Sequence, residues 1–152
     1  MSRRARPPVR SLIAVVIALL IVTGTAVAAS GTTLKLTGPS GVTLTHDQSF
    51  SVKVTGATSK VGVKLFIYQG GQVRGGTAAI TCFSTESAEF AKYHPSSRVH
   101  VFLGARPVHG SFSFSLGFVA VHPGPRSFCA YVASASGATT YAHAELHWTN
   151  HP

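Results

Sequence analysis

GSFSFSLGFVAV, residues 110–121, alternates along nearly its whole length. Phe112, Phe114, Leu116 and Phe118 stand on one side of an extended chain, and Ser111, Ser113, Ser115 and Gly117 stand on the other. A period of two is the pattern of a β-strand with one face buried and one face wet. The large apolar side chains along one face predict the strongest core strand of the chain.

The same alternation recurs on both sides of this stretch, in blocks separated by turn residues. Upstream, Leu34 and Leu36 oppose Thr33 and Lys35, Val42 and Leu44 follow the turn Gly38-Pro-Ser-Gly41, and Phe50, Val52 and Val54 alternate with Ser49, Ser51, Lys53 and Thr55. Val61, Val63, Leu65 and Ile67 share a face. The opposite face, with Phe66 and Tyr68, is itself partly apolar, which places this strand near the middle of a sheet. Gly70 to Gly76 reads as a glycine-rich turn, Thr77 to Cys82 as a short strand and Arg98 to Leu103 as another. Downstream, the turn His122-Pro-Gly-Pro125 leads to Ser127–Ala133 and then to Thr139–Trp148. Ser84 to Tyr93 is the one helix candidate, with Glu86 and Glu89 early and Lys92 late, as the helix dipole prefers. The expected fold is all-β: an antiparallel two-sheet sandwich of about seven to nine strands.

The N-terminus belongs to a different kind of segment. Arg3, Arg4, Arg6 and Arg10 precede the apolar run Leu12–Val22, and Ala26-Val-Ala28 offers small residues at the spacing a signal peptidase reads. Residues 1–28 are therefore read as a secretory signal helix and 29–152 as one domain. The alternative is an uncleaved membrane anchor, because the apolar stretch can be extended to Ala29. Removing four arginines lowers the formal charge from +9 to +5. The remaining basic residues are scattered singly, without the basic cluster or helix of a nucleic-acid footprint.

Two cysteines in an exported chain, Cys82 and Cys129, are most simply one disulfide. Closing a loop of roughly fifty residues would stabilise the fold by about 4 kcal/mol in the chain-entropy model. The C-x-x-C spacing of redox pairs and of many metal thiolate sites is absent. Residues 32–149, with Cys129-Ala-Tyr131 in the penultimate strand, resemble the immunoglobulin-like β-sandwich modules of secreted bacterial proteins, particularly small actinobacterial ones that join such a cysteine to one after the middle strands. Position 127 is Ser where antibody-type domains carry Tyr, and no Trp follows Cys82 at the usual spacing. The bridge is accordingly not expected to be the inter-sheet bridge of those domains.

Signals for chemistry are sparse. In YAHAELHW, residues 141–148, His143, Glu145 and His147 occupy alternate positions and constitute the candidate metal set. Along a strand His143 and His147 lie about 13 Å apart, too far for all three groups to share one ion with bonds of ~2.0–2.2 Å. The intervening Ala142, Ala144, Leu146 and Trp148 explain the pattern as the wet face of a strand. His94, His100, His109 and His122 are expected to be solvated. The single Met is Met1, and no His follows Cys129 at blue-copper spacing. No G-x-S-x-G elbow occurs. Glu86 and Glu89 are assigned a structural role in a first helical turn rather than acid/base work. The resulting expectation is a secreted, non-catalytic binding or cell-envelope interaction module without a cofactor. Its expected partner is a protein or cell-wall polymer, with no nucleic acid, and membrane association only if the N-terminal segment stays attached. The alternative is an extracytoplasmic metal-binding protein using surface histidines.

Overall fold

Val52 and Val54 are fully buried while the alternating Ser51 and Lys53 are exposed, and repeated alternation of this kind organises the computed structural model, which describes residues 24–25, 31–71, 81–92 and 100–151. The strands are β1 (Gly24–Thr25), β2 (Thr32–Thr37), β3 (Thr43–Leu44), β4 (Ser49–Thr58), β5 (Val63–Gly71), β6 (His100–Pro107), β7 (Gly110–Val119), β8 (Gly124–Ser134) and β9 (Thr140–Asn150), with one helix, α1 (Glu86–Lys92), between β5 and β6. They form an immunoglobulin-like two-sheet sandwich. One sheet has the order β1-β2-β4-β7 and the other β3-β9-β8-β5-β6. The pairings are antiparallel except that β3 runs parallel to β9, a departure from the purely antiparallel expectation.

The core lies between the inner faces. Leu34, Leu36, Val52 and Val54 meet Leu65, Phe128, Val132, Leu146 and Trp148 from the opposite sheet. Phe50 stacks on Phe118 at 5.5 Å and meets the edge of the Trp148 ring at 5.3 Å. Gly56 lies opposite Phe112, whose ring occupies the space a β-carbon there would need. At the far end of β2 and β4 the hydroxyls of Thr32 and Thr58 bond each other at 3.0 Å, satisfying two buried polar groups.

One expectation about strand rank is corrected. Strand β7 is an edge strand, and Phe112, Phe114, Leu116 and Phe118 are only partly buried, although they face the core. The fully enclosed strand is β8, in which every residue from Arg126 to Ala133 is buried. It lies between β5 and β9, and both of its faces are covered. Strand β5 is internal as expected, and runs on to Gly71, so Gly70 and Gly71 extend the ladder rather than turn. Thr81 and Cys82 lie outside any strand; residues 72–80 of the expected turn and strand fall outside the described residues. Most of the segment read as a signal helix also lies outside them. Gly24 and Thr25, within that segment, pair with Leu36 and Lys35. Among the described residues no helix is long and apolar enough to cross a membrane.

Candidate functional site

The strands β5, β8 and β9 carry a second set of side chains on the face turned away from the sandwich core. Because β8 alternates, Phe128, Ala130 and Val132 enter the core while Cys129 and Tyr131 face outward. Cross-strand pairing puts Tyr68 opposite Cys129 and Phe66 opposite Tyr131. This outer face is not wet. Tyr68, Cys129 and Tyr131 are fully buried, with Phe66, Phe102 and Cys82 packed against them.

Helix α1 provides the cover, and its position follows from its local chemistry. The Thr85 side chain accepts the Ala88 N–H at 3.3 Å, an N-cap that starts the helix. The Glu86 N–H donates to Thr140 Oγ1 at 2.8 Å, tying that start to β9. Cys82, just upstream, is bonded to Cys129, with a Cα–Cα distance of 5.6 Å. The disulfide thus fastens the α1 segment to the outer face of one sheet and does not bridge the two sheets, as the departure from antibody-type domains led us to expect.

Glu86 and Glu89, one helical turn apart, project into the covered face and are 3 % and 0 % exposed. The Tyr68 hydroxyl donates to Glu86 Oε1 at 2.5 Å. Glu89 gathers a wider set of partners. The Phe83 N–H donates to its Oε2 at 2.9 Å, and His100 Nδ1 lies 2.5 Å from its Oε1. The Tyr131 hydroxyl is 2.8 Å from both Glu89 Oε2 and the Phe83 carbonyl oxygen. Burial, reinforced by the Glu89 carboxylate, pushes the Tyr131 phenol well above its ordinary range. Among the described residues no buried side-chain nitrogen or oxygen lacks a hydrogen-bond partner.

This cluster of two carboxylates, two phenols and an imidazole escaped the sequence reading in part. Glu86 and Glu89 do sit in the first helical turn as expected, but as buried anchors. His100 was expected to be solvated and instead is buried at the start of β6 against Glu89. Nothing in the spacing of His100 marks it as different from the other histidines, since its partner comes from another element.

The metal candidates occupy the outer face of β9. His143 stacks on the Tyr131 ring with centroids 6.2 Å apart, and His147 Nε2 reaches Glu145 Oε2 at 3.3 Å. Ala142, Ala144, Leu146 and Trp148 are buried, giving the alternation read from the sequence. Among the described residues no group of three His, Cys, Asp or Glu side chains is placed to hold a metal ion. An open, shallow depression of about 430 Å³ is lined by Gly31, Ala57–Ser59 and His109–Ser111. Among the described residues His109 is the one ionisable side chain in its lining.

No protein-family model matches the chain, and no curated protein matches its sequence. Among solved structures, it is similar to a Niemann-Pick type C2 protein from Japanese carpenter ant, with a TM-score of 0.40 and 10% identity over 72% of this chain and 79% of that one.

Proposed function

We propose that this chain is a secreted, non-catalytic immunoglobulin-like module that binds a protein or cell-wall polymer at the cell envelope. The observation that carries this reading is the closure of the buried carboxylate–phenol–imidazole cluster, the largest grouping of acid/base side chains among the described residues. Glu86, Glu89, His100, Tyr68 and Tyr131 are all buried and bonded to one another or to the backbone, so they hold α1 on the sheet. A catalytic acid or base needs a path to substrate; here the path is filled by the helix and the disulfide. The disulfide also favours an oxidising compartment. Solvent-facing side chains offer a different capacity: His46, His109, His122 and His151 are exposed, as are Lys35, Lys53, Lys92 and Arg106.

Protonation of exposed imidazoles adds positive charge as pH falls through the range in which histidine titrates. Binding to purified anionic cell walls is expected to strengthen between about pH 7.5 and 5.5 and to weaken with salt, because exposed charges are screened over ~8 Å at physiological ionic strength. A pull-down at the two pH values, run beside calorimetric titration with zinc and copper, tests this. Saturable micromolar metal binding lost on His143 or His147 replacement, without pH-enhanced wall binding, would replace the proposal with the metal-binding reading. The intact mass of the exported protein reports whether residues 1–28 are removed, as the proposal requires; a full-length chain in the membrane fraction would favour an anchored module.

A further inference from the structure

The sandwich has four sheet edges, and three are protected in familiar ways. β3 is two residues long, and so is β1; once residues 1–28 are removed that edge is β2, six residues long with the exposed Lys35 near its centre. β6 is interrupted by a register shift opposite Ile67 and Tyr68, carries Arg106 and ends at Pro107. Short length, bulges, charge and proline are the devices that keep edge strands from pairing with other chains. The fourth edge, β7, has none of them. It is ten residues long, its register with β4 is continuous from Gly110 to Val119, and it contains no charged residue and no proline.

The hydrogen-bond pattern fixes which backbone groups this edge presents. Just beyond β7, the Ala120 N–H donates to the Gln48 carbonyl at 3.0 Å, and the Ala120 carbonyl accepts the Asp47 N–H at 2.8 Å. Antiparallel alternation then turns the backbone groups of Phe118, Leu116, Phe114 and Phe112 toward β4. Those of Val119, Gly117, Ser115, Ser113 and Ser111 point away from it, toward an edge with no neighbouring strand among the described residues. Apolar surface accompanies that edge. The inward side chains of β7 are only partly buried, and Val101 and Leu103 on β6 and Val119 on β7 are 46%, 39% and 49% exposed. Arg106 of β6 sits over the Phe114 ring at 4.3 Å, which places the β6 edge beside the β7 edge.

We propose that β7 is a homodimerisation edge: a second copy of the chain pairs with it antiparallel, about a two-fold axis at Ser115, joining the two β7-bearing sheets into one. The sequence is self-complementary about that residue. Ser115 meets its own copy, Ser113 meets Gly117 and Ser111 meets Val119, all at positions whose backbone groups face the edge. On the inner face, Phe114 meets Leu116 and Phe112 meets Phe118, so that each half-covered side chain gains an apolar neighbour. This is the self-matching that an isologous interface about a two-fold axis requires.

The test uses the full disulfide-bonded protein in sedimentation and light scattering over a concentration series reaching roughly 500 μM, where association with a dissociation constant near 100 μM is readily seen. A dimer is expected. Ser115→Pro removes an edge-facing N–H that β4 does not use, and Ser115→Lys opposes two like charges at the axis; each should weaken dimerisation at least tenfold while circular dichroism and melting temperature stay close to wild type. If Ser115→Pro misfolds, Ser115→Lys still gives the reading. Register is tested by cross-linking. Directly opposed hydrogen-bonded residues have Cα atoms about 5.5 Å apart, within disulfide range, so Ser115→Cys should form a covalent dimer on mild oxidation and Ser113→Cys should not. A wild-type monomer throughout the series, a dimer unaffected by both Ser115 substitutions, or equal cross-linking at positions 113 and 115 would overturn the proposal.

Discussion

Replacing Glu89 by Ala tests whether the buried cluster is what holds α1 in place. Three donors converge on this carboxylate: the Phe83 N–H, the Tyr131 hydroxyl and His100 Nδ1. The Tyr131 hydroxyl keeps an alternative acceptor in the Phe83 carbonyl at 2.8 Å, so it loses little. The Phe83 amide and the His100 imidazole have no such substitute among the contacts described above, and an unsatisfied buried donor costs about 1–3 kcal/mol. Two of them give about 2–6 kcal/mol, a range that spans the ~3–5 kcal/mol typical of the most costly buried polar deletions. We expect Glu89→Ala to lower unfolding free energy by about 3–5 kcal/mol. Glu89→Gln, which keeps the shape and one acceptor, should lose about half as much or less. Urea denaturation of both variants followed by tyrosine fluorescence measures this. Losses under about 1 kcal/mol in both, with unchanged denaturant slope, would refute the view that Glu89 is a structural anchor.

Stability should also fall in alkali. The folded-state pKa of Tyr131 is raised above the ordinary phenol value of 10.0, so below pH 10 the phenol is protonated in both states and its contribution is intact; above pH 10 the unfolded chain ionises first and stability declines. The expected slope from this residue is about 1.4 kcal/mol per pH unit, and it should disappear in Tyr131→Phe when stability is measured between pH 9 and 11.5. The disulfide makes a separate prediction. Thiol titration of the denatured, unreduced protein should find no free sulfhydryl, and reduction should cost about 2–5 kcal/mol. Because the bridge joins the α1 segment to β8 rather than sheet to sheet, the loss should appear first in the near-ultraviolet signal of Tyr68 and Tyr131, with β-sheet content retained until higher denaturant. Simultaneous loss of both signals would contradict this order.

Much of the fold was legible in the chain, because a strand writes its two faces into alternate positions. The alternation of Phe50, Val52 and Val54 and of Ala142, Ala144, Leu146 and Trp148 located two strands and the side each turns to the core. Glu86, Glu89 and Lys92 located the helix, and an even count of cysteines in a chain read as exported located the disulfide. The candidate site was legible only in pieces. Glu86 and Glu89 read as first-turn residues from their spacing, and that role is present, but their burial is not a property of the helix sequence.

What the sequence determined by itself, then, is which side chains share a face, since that depends on neighbours two or four positions away. What covers each face was decided by tertiary structure. The stretch 110–121 has the cleaner alternation, yet it lies at an edge, while the 127–133 stretch, with Cys129 and Tyr131 on its second face, is enclosed on both sides. His100 resembles any other strand histidine until Glu89, eleven residues away on another element, is folded against it. The physical reason is the range of the interactions: periodicity is a local constraint on backbone geometry, whereas burial is set by contacts between segments distant in the chain.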